Sequence, residues 1–207
     1  MFIAIIDYGA GNLRSVQKAL ENLGVKATLT KDKAEILSAS GIILPGVGAF
    51  DSAMKELRAK GLELTIEEAI ARNKPFLGIC IGFQLLFEKS EEGRDKGLAI
   101  IKGEVKKFNF TRTDLKLSIP HMGWNQMKIK NESKLFNGIE NGSMVYFAHS
   151  YYCNPKEESI VSTTTDYGIE FVSSISKGKM FGIQFHPEKS GVVGLKILKN
   201  FGEICLK

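Results

Sequence analysis

The feature that most constrains this chain is the regular exchange of short apolar runs with amphipathic segments over residues 2–89. Residues 2–6 form an unbroken apolar run, as expected of a strand buried on both faces. Residues 13–23 then place Leu13, Val16, Ala19, Leu20 and Leu23 at helical spacing and stop at Gly24. A second strand is expected over 25–29, a short helix over 34–39, and a third strand over 42–44 that stops at Pro45. Helices follow over 51–60 and 62–72, then a buried strand over 75–79 and a helix over 83–89 behind the glycine-flanked Cys80. Strands alternating with helices need cover on both sheet faces. The expected fold is therefore α/β, with a mixed, mostly parallel sheet flanked by helices.

Beyond about residue 97 the texture changes to short strand-like runs at 99–101, 126–129, 144–147, 160–164, 170–175 and 180–185, separated by Gly, Asn and Asp. The C-terminal half should be the more strand-rich. A closing helix over 192–204 sets Val192, Val193, Leu195, Ile197, Leu198, Phe201 and Ile204 at its apolar positions. No repeat or linker divides the 207 residues, and a chain of this length suits one core, so a single domain over 1–207 is expected.

Composition narrows the partners. With 43% hydrophobic and 25% charged residues, disorder, collagen and coiled coil are excluded. The uncharged apolar stretches 36–50 and 75–87 fall short of the ~20 residues that span a bilayer, and Pro or Gly breaks each one. The run at 2–6 follows Met1 with neither a basic region nor a cleavage site, which points to the cytoplasm. The net charge of +5 comes from lysines scattered among glutamates, with a modest basic bias at 102–116 with which the aromatics do not interleave as a nucleic-acid platform would. Nucleic acid is not an expected partner. Cys80, Cys153 and Cys205 are too few and too widely spaced for a disulfide framework or a cysteine zinc site.

The sharpest chemical signal is Gly78-Ile79-Cys80-Ile81-Gly82, with an apolar strand before it and an apolar segment after it. Small residues on both sides let a strand turn abruptly into a helix with the cysteine at the tip. The following N–H then faces a developing oxyanion, and the helix start favours thiolate. A nucleophile of this kind needs a base. His186 follows the last strand, and Gln184-Phe185-His186-Pro187-Glu188 places a carboxylate two residues on, where it can orient the imidazole. Cys80, His186 and Glu188 thus read as nucleophile, general base and acid, and orienting carboxylate. His121 and His149 lack an adjacent Pro-Glu and are expected to satisfy local backbone groups; Cys153 and Cys205 are expected to pack. Leu44-Pro45-Gly46-Val47-Gly48 ends a strand, and its glycines would let a peptide turn its N–H toward a bound carbonyl. Gly9-Ala10-Gly11 has Arg14 where a dinucleotide fingerprint needs its third glycine, so a docking or structural turn is the better reading.

The order PGVG, GICIGFQ and HPE resembles the class I, or triad, glutamine amidotransferases, which have a flavodoxin-like fold. The segments Asp7-Tyr8-Gly9-Ala10-Gly11-Asn12, Pro120-His121-Met122-Gly123-Trp124-Asn125 and Tyr146-Phe147-Ala148-His149-Ser150-Tyr151 narrow this to the glutaminase subunits of imidazole glycerol phosphate synthases. Ile81 and Phe83 stand where that family usually has Leu and Met, and both exchanges stay apolar. The resemblance implies glutamine hydrolysis without a metal or other cofactor, with ammonia passed to a (β/α)₈-barrel cyclase subunit in a heterodimer. It implies that Ile81 N–H and a reoriented Val47 N–H hold the oxyanion, and that Gly48, Gln84, Ser150 and Tyr151 contact glutamine. It puts Met122, Trp124, Tyr146 and Lys189 at or near the cyclase interface and the ammonia passage. It also implies a poor glutaminase until the cyclase binds its nucleotide. Three rivals remain open on sequence: a related subunit serving sugar amidation, a silent partner-binding module, and a cysteine peptidase or esterase.

Overall fold

A computed structural model describes residues 1–110 and 117–206 of the chain. Its first half is β1 (Ile3–Ile6), α1 (Leu13–Asn22), β2 (Ala27–Thr30), α2 (Lys33–Ser38), β3 (Gly41–Gly46), α3 (Phe50–Ala59), α4 (Glu63–Ala71), β4 (Phe76–Cys80), α5 (Ile81–Gln84) and β5 (Phe87–Ser90). There follow β6 (Ile101–Lys107), β7 (His121–Gln126), β8 (Lys128–Ile129), β9 (Met144–His149), β10 (Tyr151–Pro155), β11 (Val161–Asp166), β12 (Glu170–Lys177), β13 (Met180–Ile183) and α6 (Gly191–Cys205). Among the described residues one large sheet runs in the order β2-β1-β3-β4-β13-β12-β10-β6-β5, with β11 and β8 attached beside β12. The span from β2 to β13 is parallel throughout, and β12 turns the sheet antiparallel. β7 and β9 form a separate antiparallel ribbon.

The alternation in the first half has a simple physical origin. The strands β1, β3 and β4 are buried along their whole length, as a sheet covered on both faces requires. α1 buries Val16, Ala19 and Leu20, one face of a helix, and packs on α6, whose Ile197, Leu198 and Phe201 are fully buried. α2 packs on α4. Removing these side chains from water contributes on the order of 2 kcal/mol apiece.

Several boundaries differ from the sequence expectation. Residues 83–89 do not form a helix: α5 ends at Gln84, and Phe87–Ser90 is a strand that pairs in parallel with β6. Phe83, Leu85, Leu86 and Phe87 are all buried, and a short apolar run of that kind suits helix or strand equally. Pro45 does not stop β3, whose pairing with β4 continues through Pro45↔Ile79 to Gly46↔Cys80. The run at 99–101 becomes a strand only from Ile101, since Ala99 has a left-handed φ of 53°. The run at 126–129 splits between β7 and β8 at Met127. β10 was not anticipated, and part of the basic bias at 102–116, residues 111–116, lies outside the described residues. Among the described residues no helix is long and apolar enough to cross a membrane.

Candidate active site

Three adjacent parallel strands, β3, β4 and β13, end side by side, and the chemistry-bearing segments leave from their C-terminal ends. That is where open α/β sheets form their crevices. β3 delivers Gly46-Val47-Gly48, β4 delivers Cys80, and the segment after β13 delivers Gln184, His186 and Glu188.

Cys80 stands at φ 55° and ψ −110°, a conformation that non-glycine residues rarely adopt and that tight packing must enforce. The glycines around it explain how the turn closes. A Cβ on Gly82 would lie 1.7 Å from Leu44 O, and one on Gly78 would lie 2.7 Å from Gly82 O. A Cβ on Gly46 would meet Tyr8 Oη at 2.5 Å and Ile81 Cβ at 2.8 Å. β3, β4 and α5 therefore approach more closely than any side chain at those positions would allow.

His186 is buried, and its Nδ1 donates to Glu188 Oε1 at 3.0 Å across the turn that Pro187 opens. Its backbone is fastened to β9: His186 N–H donates to Tyr146 O at 2.9 Å, and Ser190 Oγ donates to His186 O at 2.6 Å. The Glu188 carboxylate is itself enclosed, with 1% of its side chain exposed. Asn12 Nδ2 donates to Glu188 Oε1 at 3.2 Å, and Ser15 Oγ donates to Asn12 Oδ1 at 2.7 Å. The 9–12 turn thus docks on the carboxylate. Burial alone would push the His186 imidazole down, but hydrogen bonds with Cys80 and Glu188 outweigh it and raise the imidazole from 6.5 to about 10.

A pocket of about 270 Å³ opens over Cys80. Of the residues singled out from sequence, it gathers Val47, Gly48, Cys80, Ile81, Gln84, Met122, Ser150, Tyr151, His186 and Lys189. Glu188 lies behind His186. Trp124 and Tyr146 are not among its lining; they face each other on the β7–β9 ribbon, rings 6.1 Å apart, with Lys189 Nζ 5.7 Å from the Tyr146 ring. Met122 is 63% exposed and Val47 42%, so the pocket lining carries bare apolar surface, and Trp124 on the ribbon is 52% exposed.

Sequence reading passed over Gln184, although its i,i+2 spacing with His186 was a signal. It is fully buried, and its Nε2 donates to Cys80 Sγ at 3.7 Å. Gln84 is no solvated helix residue: it is buried, and Gln84 Nε2 donates to Gln184 Oε1 at 3.0 Å and to Tyr151 O at 3.2 Å. His121 and His149 form a buried cross-strand pair with their rings bonded at 3.0 Å, and burial pushes them down to about 4 and about 3. Chemically, the pocket joins a thiol at a strained tip to an imidazole backed by an enclosed carboxylate.

The glutamine amidotransferase class-I family model matches residues 4–204. The chain belongs to that family. Among named relatives, imidazole glycerol phosphate synthase subunit HisH of Moorella thermoacetica is 54% identical over 98% of this chain and 94% of its own length. The HisH subunit of Synechococcus sp. is 51% identical over 99% of this chain and 94% of its own length, and that of Bacillus cereus 50% over 96% and 93%. Within the class, the chain is a member of the HisH subunit family. Two solved structures share the fold: a glutamine amidotransferase crystal structure, with TM-score 0.77 and 17% identity over 100% of both chains, and PurLQS from Thermotoga maritima, with TM-score 0.75 and 21% identity over 99% of this chain and 98% of the other.

Proposed function

We propose that this chain is the glutaminase subunit of an imidazole glycerol phosphate synthase. It hydrolyses L-glutamine to glutamate and ammonia and passes the ammonia to a cyclase subunit, which makes imidazole glycerol phosphate and an aminoimidazole carboxamide ribonucleotide on the way to histidine. The observation that carries this reading is the His186 Nδ1–Glu188 Oε1 bond of 3.0 Å, with His186 lining the same pocket as Cys80.

In this reading the Cys80 thiolate attacks the side-chain carbonyl of glutamine. The N–H groups of Ile81 and Val47 hold the oxyanion, and His186 gives its proton to the departing ammonia. The remaining glutamyl thioester is cleaved by water that His186 deprotonates, which releases glutamate and restores Cys80. Glu188 keeps the imidazole in place and offsets its charge in both half-reactions. Gly48, Gln84, Ser150 and Tyr151 hold the substrate. All of this is side-chain and backbone chemistry that calls for no cofactor.

In this reading Met122, Trp124, Tyr146 and Lys189 lie at or near the cyclase interface and the ammonia passage, and Met122 and Lys189 also line the pocket. The exposed apolar rim supports that assignment, since such surface marks partner sites. The whole chain, 1–207, works as one domain in the cytoplasm. Glutamate release from glutamine, measured with the chain alone and with a cyclase subunit and its ribonucleotide ligand, tests the reading beside a Cys80→Ala control. Strong activation by the cyclase that is lost in Cys80→Ala is expected; Cys80-dependent hydrolysis indifferent to the cyclase would move the protein to another synthase.

A further inference from the structure

The hydrogen bonds around Cys80 lead away from the triad as well as into it. Tyr151 O is a carbonyl and accepts only, so the Gln84 atom 3.2 Å from it is the amide nitrogen. The same nitrogen then requires an acceptor in Gln184, which its Oε1 supplies at 3.0 Å. That leaves Gln184 Nε2 to face Cys80 Sγ at 3.7 Å. The sequence of bonds thus fixes a donor, rather than an acceptor, against the sulfur.

The far end of this chain is equally determined. His149 Nδ1 lies 2.7 Å from Tyr151 O and must donate to it. Burial keeps His149 neutral, so its Nε2 is bare and accepts from His121 Nδ1 at 3.0 Å. Asn125 Nδ2, 3.3 Å from His121 Nε2, completes the series. Tyr151 O therefore receives two donors and cannot swing away, and the Gln84–Gln184 amide pair is held from that end. Gln184 N–H is fixed as well, donating to Ser173 O at 2.9 Å.

We infer that Gln184 is a further catalytic residue: its side-chain N–H, 3.7 Å from the Cys80 sulfur, solvates the attacking thiolate of the proposed reaction and aims it at the pocket. An amide buried this completely is costly unless each polar atom is used, and Gln184 uses both. Two of the ionisable groups near the sulfur offer it no charge. Tyr8 and Cys153 are pushed up, first by burial and then by the charge of Cys80, and so stay neutral. Glu92 and Lys189 line the same pocket, and Glu188 lies beyond His186.

The inference rests on the glutaminase reading for its reaction, but its test needs only the nucleophile. Iodoacetamide alkylation of Cys80 in the full chain, with Cys80→Ala as the blank, reports thiolate at neutral and at alkaline pH. Gln184→Leu removes the donor, and Gln184→Glu keeps the shape while offering the sulfur an acceptor. Each should alkylate about tenfold more slowly at neutral pH, the equivalent of about one pH unit, and recover the parent rate at alkaline pH. A packing defect would not be restored by alkali. Gln84→Met, which frees Gln184 without touching the sulfur, should show the same change at smaller size. Neutral-pH alkylation equal to the parent in a folded Gln184→Glu or Gln184→Leu chain would overturn the inference. Were the parent chain to alkylate yet hydrolyse no glutamine with any cyclase, the glutaminase reading would fall and the role of Gln184 would still be decided.

Discussion

His186 and Glu188, two residues apart and both enclosed, are joined by a 3.0 Å hydrogen bond to Glu188 Oε1, the same oxygen to which Asn12 donates from the opposite end of the chain. A charged pair that is buried on this scale exists only because each member answers the other and the thiol beyond. Its consequences for rate and for stability differ, and both can be measured.

Glu188→Gln keeps the shape but removes the charge that supports the imidazolium. Glutamine hydrolysis should fall about 10³-fold or more with KM little changed, as happens when a triad loses its carboxylate. Steady-state glutamate release decides it, and a loss under tenfold would show that Glu188 only packs.

The same pair sets a pH dependence of stability. The folded state raises His186 from 6.5 to about 10, so it binds the proton more tightly than the unfolded chain does. The resulting stabilisation is complete below about 6.5 and is lost as pH rises toward about 10. Urea unfolding of the parent and of His186→Asn should therefore give a stability gap that narrows across that window.

The His121–His149 pair acts in the opposite direction. Burial lowers them from 6.5 to about 4 and about 3, so the unfolded chain binds protons that the folded chain refuses. Stability should drop as pH falls from about 6.5 toward about 4, and the slope should be shallower in His149→Gln. Equal slopes would show that the acid sensitivity lies elsewhere.

Glycines at the site should separate into two kinds. Gly82→Ala would put a Cβ 1.7 Å from Leu44 O and should cost upwards of about 3 kcal/mol in urea unfolding. A Cβ on Gly48 meets nothing within 4 Å, so the cost of Gly48→Ala should be confined to the strain of φ +92°, about 1–2 kcal/mol. If the Gly46–Val47 peptide must turn its N–H to complete the oxyanion site, this variant, one residue on, should lose activation by the cyclase while staying folded.

Trp124 is 52% exposed, so Trp124→Ala should leave unfolding within about 0.5 kcal/mol of the parent. As a docking anchor it should weaken cyclase binding by about 2 kcal/mol or more, roughly 30-fold, in a titration of the two subunits. Unchanged affinity would remove Trp124 from the interface.

The amino-acid sequence alone determined the alternation of strand and helix through β4, the cysteine tip and the His-Pro-Glu turn, because these depend on local apolar period, glycine placement and neighbour spacing. Residues 83–89 were misread as a helix because a short apolar run buries equally well in either form, and only pairing with β6 made Phe87–Ser90 a strand. Tertiary structure alone decided that β3, β4 and β13 end together, which brings Gly46, Cys80 and His186 into one crevice across 140 residues of chain. It also decided the hydrogen-bond partners of Asn12, Gln84 and Gln184. A hydrogen bond between residues 100 or 176 positions apart leaves no trace in local pattern, since the partner atoms meet only after the sheet has formed.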